Sequence, residues 1–380
     1  MHAQSKSSAS RIYWLDVARV VAIISITLNH AVNRTYENYT DQAVEFSSIS
    51  LLSSVFKAII TVFSHIGVPL FLMISGTLLL KKKIDDEADV RRFYKHNLLG
   101  LFITSEVWYF IMFWVQVLST WDGHLLREQG IAAVIWRLIC TMLFIDQFTF
   151  ESMWYMPMIL CLYLLMPLLA MVLRKISLRM LVIPILIVFF SSMVFSNLNA
   201  ILSILGSTKA VSFELYSGYL FSFFFLFVIV GYWISQGGLQ KMRTWLVALI
   251  TFALFAGICI FQLWVYSCEI NYLVNYDFFA MLPCAAGTFE LIRRGAHWIK
   301  RLERPVTYLS QISFGIYFVH IIIMSELYWY VDLAMLRPVR LLFLEAVSFL
   351  GSIIIIALLS KIPLLKRYMF MIKDGKPSLS

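Results

Sequence analysis

Residues 11–34 read RIYWLDVARVVAIISITLNHAVNR, an apolar stretch long enough to cross a membrane as one helix. Within this stretch, Arg19 and His30 are 11 positions apart. On an α-helix this spacing is about 20° more than three full turns and roughly 16 Å along the axis, so both side chains share one face. Asp16 lies near the same stripe. Ionisable side chains are costly in lipid, so we expect this face to line the protein interior or a wet cavity and to mark a functional site.

The composition is that of an integral membrane protein. The 380 residues are 61% hydrophobic and only 14% charged, which leaves too little polar surface for a soluble chain of this size. The net charge of +9 does not indicate nucleic-acid binding, because Lys and Arg lie in short runs between apolar segments, as topology signals do. The five cysteines include no CxxC pair, so neither a metal site nor a disulfide framework is expected.

Apolar stretches of about 20 residues recur along the whole chain. They predict an all-α, polytopic membrane protein of about ten transmembrane helices, with a single membrane-embedded domain over residues 1–380. The predicted spans are 12–33, 52–80, 94–118, 152–173, 179–197, 211–234, 242–265, 271–294, 306–330 and 340–362. Segment 131–148 is interrupted by Arg137 and Asp146, and we interpret it as a re-entrant or interfacial piece, with an eleventh span as the alternative.

The distribution of Lys and Arg predicts the orientation. If both termini are cytoplasmic, the cytoplasmic segments hold 23 of the 31 Lys and Arg residues. Positive residues favour the cytoplasmic side of short loops, so this orientation is expected. It places Arg19 in the inner half of the first helix and His30 near its outer end. The first apolar stretch is expected to be an uncleaved anchor, because no small-residue cleavage site follows it.

The second predicted helix contains SHIGVPLFLMISGTLLL at 64–80. A proline and two glycines predict a kink and close packing against another helix, and these residues are Gly67, Pro69 and Gly76. His65 needs a polar partner inside the membrane, which leaves a structural hydrogen bond and a site role equally open. Ser75 lies in the same motif and is a candidate supporting residue.

Two later helices carry further polar side chains. Glu106 lies in the middle of the third span and stays charged there only if Arg19 or a histidine is close. The ninth span carries a polar stripe at spacings of 3, 4 and 3 residues, formed by Ser310, Ser313, Tyr317 and His320. Such spacing stacks these side chains on one helical face, which we expect to line the same cavity as His30. Trp154 and Tyr155 are interpreted as aromatic anchors at the membrane interface.

Four motifs in chain order resemble the acyltransferase-3 family of integral membrane acyltransferases. They are Arg19-x10-His30 preceded by YWLD, GVPLFLMISG at 67–76, W-x8-Y-x3-P at Trp154, Tyr163 and Pro167, and SFGIYFVH at 313–320. The VPLF motif and the lack of a fused extracellular domain resemble the surface-polysaccharide O-acetyltransferase branch, which includes the enzyme that acetylates enterobacterial common antigen. The sequence departs from the family at the start of the third helix, where Lys95, His96, Asn97 and Gly100 replace an Arg-rich segment. Ile159 and Leu160 replace the Glu-Glu pair of another branch.

The resemblance implies transfer of an acyl group, usually acetyl from cytoplasmic acetyl-CoA, to a hydroxyl of a cell-surface glycan or its lipid-linked precursor. It implies a location in the bacterial plasma membrane, with membrane lipid and the sugar acceptor as partners, no nucleic acid and no metal. An exporter or flippase that moves polysaccharide without acyl transfer is the alternative, and a small-molecule sensor or transporter is disfavoured because no paired discontinuous helices are evident.

The predicted catalytic residues are His30 and Arg19. His30 is expected to act as the general base that takes the proton of the attacking hydroxyl. Arg19 is expected to bind a phosphate or the thioester carbonyl, with a structural ion pair to Asp16 as the alternative. The predicted supporting or substrate-binding residues are Asp16, His65, Ser75, Glu106, Ser313, Tyr317 and His320. The basic loop 81–95 is expected to attract the CoA phosphates, although its charge is explained equally well by topology.

Overall fold

A computed structural model describes residues 11–36, 49–118, 123–144, 153–206, 223–268, 272–331 and 335–372, with the side chains of 123–129 left undescribed. The structure is 83% helical, and its described residues form no strand. The helices are α1 (Tyr13–Thr35), α2 (Leu51–Ser64), α3 (Gly67–Leu79), α4 (Glu87–Leu118), α5 (Gly123–Met142), α6 (Tyr155–Lys175), α7 (Leu178–Ile204), α8 (Phe224–Ser235), α9 (Thr244–Ser267), α10 (Met281–Gly295), α11 (Glu303–Tyr328), α12 (Arg337–Leu359) and α13 (Pro363–Tyr368).

The predicted all-α membrane fold is confirmed. Across the described residues, eight helical stretches are long and apolar enough to cross a membrane. One of them, Met281–Tyr328, contains two of the predicted spans, α10 and α11. The described part of the span predicted at 211–234 is α8, which is shorter, and residues 211–222 lie outside the described residues.

The span predicted at 52–80 is present as one membrane-crossing stretch, Leu51–Leu79, with a break between the end of α2 at Ser64 and the start of α3 at Gly67. Pro69 lies in the first turn of α3, where a missing N–H breaks no helical hydrogen bond. One predicted span needs correction. The span predicted at 271–294 begins only at Met281, since Tyr272–Ala280 is irregular. In the segment interpreted as interfacial, α5 ends at Met142, and residues 145–148 lie outside the described residues.

Helix α1 lies at the centre of the bundle. It packs against α2, α3, α10, α11 and α12, and most of its side chains are buried. By contrast, most residues of α7, α9 and α12 are not buried inside the bundle, as expected for helices that face lipid. The Arg19–His30 face therefore points into the protein, as the cost of exposing ionisable groups to lipid requires.

Helix α1 is held against α11 by one buried carboxylate. Asp16 is 1% exposed and accepts hydrogen bonds from Arg11 Nε at 2.6 Å, Ser310 Oγ at 2.7 Å and Arg19 Nη1 at 3.2 Å. A buried charge with these partners is stable, whereas removal of one partner from such a network typically costs 3–5 kcal/mol. Asp16 thus fixes the orientation of Arg19 and the register between the two helices.

Helices α3 and α8 are in direct backbone contact. A Cβ atom on Gly76 would overlap the carbonyl oxygen of Val228, and one on Gly231 would overlap the backbone of Met73. The hydroxyl of Thr77 donates across the same contact to the Gly231 carbonyl at 3.0 Å. Small residues permit this approach in membranes, which explains the glycine in the second predicted span.

Replacing Gly76 by alanine is expected to destabilise the protein by about 3 kcal/mol, the upper end of the usual cost of overpacking, because rigid backbone stands in the way. The measurement is the midpoint of thermal unfolding in detergent. Gly257→Ala is the matched control, since a Cβ on this glycine of α9 meets no atom within 4 Å. Equal unfolding midpoints for the two variants would contradict the packing described.

Candidate functional site

The C-terminal half of α1 lines a cavity of about 620 Å³, which we call the His30 cavity. Its polar wall contains His30, Asn29, His65, Asn275 and Asp277. Its other wall is aromatic and is formed by Trp154, Tyr155, Phe223, Phe224, Tyr276 and Tyr317. The cavity therefore offers flat apolar faces together with amide, imidazole and carboxylate groups that donate or accept hydrogen bonds.

The N-terminal half of α1 lines a second cavity of about 270 Å³, which we call the Arg19 cavity. The predicted site residues Arg19, Ser75, Ser313 and Tyr317 all lie on its wall. The hydroxyl of Tyr163 is hydrogen-bonded to Ser75 and lies within electrostatic range of Arg19. The third motif of the sequence thus meets the first and second motifs at this cavity.

The two cavities share a wall. Ile26, Tyr155 and Tyr317 line both of them, and the rings of the two tyrosines lie 5.7 Å apart between centroids. These three side chains form the shared wall between the Arg19 cavity and the His30 cavity.

His30 lies beside His320, as the polar stripe on the ninth span predicted. The ring centroids are 5.2 Å apart, and the side chains are 5% and 0% exposed. Nδ1 of His320 donates a hydrogen bond to the carbonyl oxygen of Ile316, at 2.7 Å. In the neutral ring Nε2 is then an acceptor, and it has no hydrogen-bond partner among the described residues.

A short cross-linking reagent is expected to join cysteines placed at these two positions. The test replaces the native cysteines and introduces His30→Cys with His320→Cys. Because the two native rings are in contact, we expect efficient linkage, measured as a shift in electrophoretic mobility. The control pair is His30→Cys with His297→Cys, since His297 is exposed at the other end of the bundle. No linkage at 30 and 320 under any condition would contradict the shared site.

His65 makes the structural hydrogen bond that its sequence position left open, and it also lines the His30 cavity. Nδ1 lies 2.7 Å from the carbonyl oxygen of Thr61, at the break between α2 and α3. The same ring lines the His30 cavity, 5.1 Å from the ring of Tyr276. The backbone hydrogen bond holds the imidazole in place, and its other edge faces the cavity wall.

The loop before α10 supplies wall residues that sequence analysis did not identify. Gln262 of α9 is fully buried, accepts from the Val274 N–H at 2.7 Å and donates to the Tyr272 carbonyl at 3.1 Å. These bonds satisfy irregular backbone inside an apolar bundle, which is tolerated where the backbone lines a cavity. Asp277 in this loop is partly buried, and burial raises the pKa of its carboxyl.

The aromatic residues of the fourth predicted span do more than anchor the helix. Trp154 stacks on Phe224, with centroids 5.8 Å apart, and lies 5.6 Å from Tyr276. These three rings form part of the aromatic wall of the His30 cavity. The signal in the sequence was the W-x8-Y-x3-P motif, which places Trp154 and Tyr163 on the walls of the two cavities.

Glu106 is not brought to either cavity. It lies on α4, lines neither the Arg19 cavity nor the His30 cavity, and makes no ion pair with Arg19 or with a histidine of the described residues. Its Oε1 atom is buried without a hydrogen-bond partner. Nothing in its surroundings connects Glu106 to the two histidines.

Comparison with known protein families identifies the chain. The acyltransferase domain of the acyltransferase-3 family matches residues 12–360, more than nine-tenths of the sequence. Comparison with curated proteins and with solved structures gives no match. The family match contains both cavities except for Met371, and all the motifs that carried the resemblance. The chain therefore belongs to the acyltransferase-3 family and is a membrane acyltransferase.

Proposed function

We propose that this protein transfers an acetyl or other short acyl group from acyl-CoA to a hydroxyl of a cell-surface polysaccharide or of its lipid-linked precursor. The observation that carries the proposal is the pair of cavities that meet at Ile26, Tyr155 and Tyr317. One cavity is lined by a permanent cation, and the other is lined by His65 and by His30, whose ring lies beside that of His320. Such an arrangement suits a donor and an acceptor that approach from opposite ends of the same helix.

The distribution of Lys and Arg supports a cytoplasmic N-terminus in the bacterial plasma membrane. In this orientation the Arg19 cavity belongs to the cytoplasmic half, where acyl-CoA is made, and the His30 cavity belongs to the outer half. The acyl-bearing arm of the donor then extends past the shared wall, and only the acyl group is transferred to the acceptor. The charged nucleotide of CoA stays on the cytoplasmic side, which avoids the cost of moving phosphates through the bilayer.

Arg19 is proposed to hold the donor. Its Nη1 atom binds Asp16, and the guanidinium is 27% exposed on the cavity wall, so further N–H groups of the planar fork are directed to a ligand. Arg19 and His30 lie roughly 16 Å apart along α1, too far to contact one carbonyl group together. Binding of the pantetheine arm or a phosphate is therefore favoured over contact with the thioester carbonyl.

The His30 cavity is proposed to hold the sugar. Its aromatic wall offers apolar faces to the ring carbons, while Asn29, Asn275 and Asp277 offer donors and acceptors to the hydroxyls. Pockets that combine a mostly apolar lining with a few placed polar groups are typical of small-molecule sites. The mixed polarity suits a carbohydrate better than a purely apolar lipid chain.

The proposed reaction is a direct acyl transfer. The sugar hydroxyl oxygen attacks the thioester carbonyl carbon while His30 takes the hydroxyl proton. The tetrahedral intermediate then collapses, the carbon–sulfur bond breaks, and the thiolate of CoA receives the proton from His30. The products are the O-acyl sugar and free CoA. His320, whose ring lies 5.2 Å from that of His30 between centroids, is proposed to hold the imidazole of His30 in place.

Export of polysaccharide without acyl transfer fits the geometry less well. A glycan strand would need a wide passage, whereas the Arg19 cavity has a volume of only about 270 Å³ and shares with the His30 cavity a wall that includes Tyr155 and Tyr317. The deciding test incubates the purified protein in liposomes with radiolabelled acetyl-CoA and a membrane extract of lipid-linked saccharides. We expect label on the saccharide. Movement of saccharide that does not depend on acetyl-CoA, with no labelled product, would reject the proposal.

A further inference from the structure

The loop at 272–280, which precedes α10, is irregular although it lies inside the bundle. Its Val274 and Phe278 side chains are buried, at 0% and 3% exposure. Three consecutive residues of the loop, Asn275, Tyr276 and Asp277, line the His30 cavity. The loop therefore brings an amide, a phenol and a carboxyl side chain to the wall of this cavity.

Two buried amide side chains from different helices hold the backbone of this loop. Gln262 of α9 binds the first part of the loop through the two hydrogen bonds described above. Asn197 of α7 binds the second part, where its Nδ2 donates to the Asp277 carbonyl at 3.2 Å and its Oδ1 accepts from the Phe279 N–H at 3.3 Å. An amide has both a donor and an acceptor, so each side chain satisfies one carbonyl and one N–H of irregular backbone.

Asn197 lies on a helix that otherwise faces lipid. Most residues of α7 are not buried inside the bundle, whereas Asn197 is 2% exposed. A π turn at Phe190–Val194 precedes it, and such turns are frequent at functional sites. Polar side chains are costly in this setting and usually have a function, so the bonds from Asn197 to the loop account for its position.

Tyr276 connects the loop to the rest of the cavity. Its ring lies 5.1 Å from the ring of His65 and 5.6 Å from the ring of Trp154, between centroids. A displacement of the loop would therefore move Asn275 and Asp277 and would also disturb the aromatic wall.

We infer that the loop at 272–280 recognises the sugar acceptor and that Asn197 and Gln262 are positioning residues that hold it in the binding conformation. The inference rests on the proposed function for the identity of the acceptor. Neither amide lines the His30 cavity, so both act through the loop and not by contact with the sugar. A displaced binding group weakens affinity even when the group itself is unchanged. No loop residue lines the Arg19 cavity, so donor binding should not depend on the two amides.

The test removes each amide at nearly constant volume, with the variants Asn197→Leu and Gln262→Leu. The matched controls are Ser191→Ala on α7 and Thr251→Val on α9, because each of these buried hydroxyls donates to a carbonyl of its own helix. Transfer of labelled acetyl is measured over a dilution series of the membrane extract of lipid-linked saccharides and, separately, over a series of acetyl-CoA concentrations. The thermal unfolding midpoint is measured for every variant.

We expect each leucine variant to raise the apparent KM for the saccharide extract by about tenfold, with the KM for acetyl-CoA and the rate at saturation unchanged. The two controls should behave as wild type. An unchanged acceptor KM, or an equal rise in both KM values as a general loosening of the bundle would give, would overturn the inference.

Hydrogen–deuterium exchange of the loop measures acceptor binding without any reaction. The wild type is incubated without acyl donor, either with the saccharide extract or with the lipid fraction left after mild acid removes the saccharides. We expect only the intact extract to slow exchange at 272–280, and we expect less protection in the leucine variants. If the wild type transfers no acetyl group, the proposed function fails, and this measurement still decides the role of the loop. Equal exchange of the wild-type loop with the two preparations would reject the inference, even if the leucine variants do not fold.

Discussion

Replacing His30 by glutamine is expected to reduce acyl transfer by a factor of 10²–10⁴, the usual loss when a general base is removed. Glutamine approximates the length and polarity of the imidazole, so the contact with His320 changes little in volume. It has no basic nitrogen that can take the proton of the attacking hydroxyl. The measurement is the rate of labelled acetyl transfer at saturating acetyl-CoA, together with the thermal unfolding midpoint.

The control for this variant is His297→Gln, which changes an exposed histidine away from both cavities. We expect that control to keep the wild-type rate. If His30→Gln unfolds normally and retains more than about a tenth of the activity, His30 is not the base. The acceptor nitrogen of His320 would then be the next candidate for that role.

Replacing Arg19 by lysine is expected to lower kcat/KM by about 10²-fold, similar to the loss of a positioned charged donor in other enzymes. The guanidinium binds Asp16 through Nη1 and still faces the Arg19 cavity. A lysine ammonium is a compact point charge, so a lysine that pairs with Asp16 cannot at the same time direct a second set of N–H donors to a ligand in the cavity. The measurement is the dependence of the transfer rate on acetyl-CoA concentration.

Arg11→Lys is a matched control for this change. Arg11 also binds Asp16, at 2.6 Å from Nε to Oδ2, but it does not line the Arg19 cavity. If Arg19 binds the donor, only the Arg19 variant loses activity. If Arg19 is merely a structural partner of Asp16, the two lysine variants should show the same modest loss of stability and the same activity.

The sequence predicted the fold and the central helix because membrane helices follow directly from hydrophobicity and length. It also predicted the contact between His30 and His320, since polar side chains at helical spacing share a face. Helix α1 is apolar except for its functional stripe, so its orientation toward the interior followed from the cost of exposing charge to lipid. All three inferences rest on properties of single helices, which a sequence shows directly.

The irregular parts of the site were not predictable in the same way. The loop at 272–280 was predicted to be part of a membrane helix, and the hydrogen bonds of Gln262 and Asn197 show that its backbone is held in another form. A single glutamine in an otherwise apolar span was the available signal. The break before α3 depends on how Gly67 packs against the Ala22 carbonyl of α1, which is a tertiary contact.

Glu106 is a site candidate that lines neither the Arg19 cavity nor the His30 cavity. A carboxyl in the middle of a span was a reasonable site candidate, because such residues are rare and usually functional. The structure places it on α4, away from Arg19 and from the histidines of the described residues. Spacing along one helix cannot show which face of a neighbouring helix approaches it. Pairing between helices is therefore the step that needed coordinates.

The proposed function requires transfer from a donor on one side of the membrane to an acceptor on the other. The direct measurement uses sealed proteoliposomes with radiolabelled acetyl-CoA only outside and the lipid-linked saccharide acceptor only inside. We predict that the wild type labels the enclosed acceptor and that His30→Gln does not. Labelling that occurs only when donor and acceptor are placed on the same side of the membrane would contradict the account.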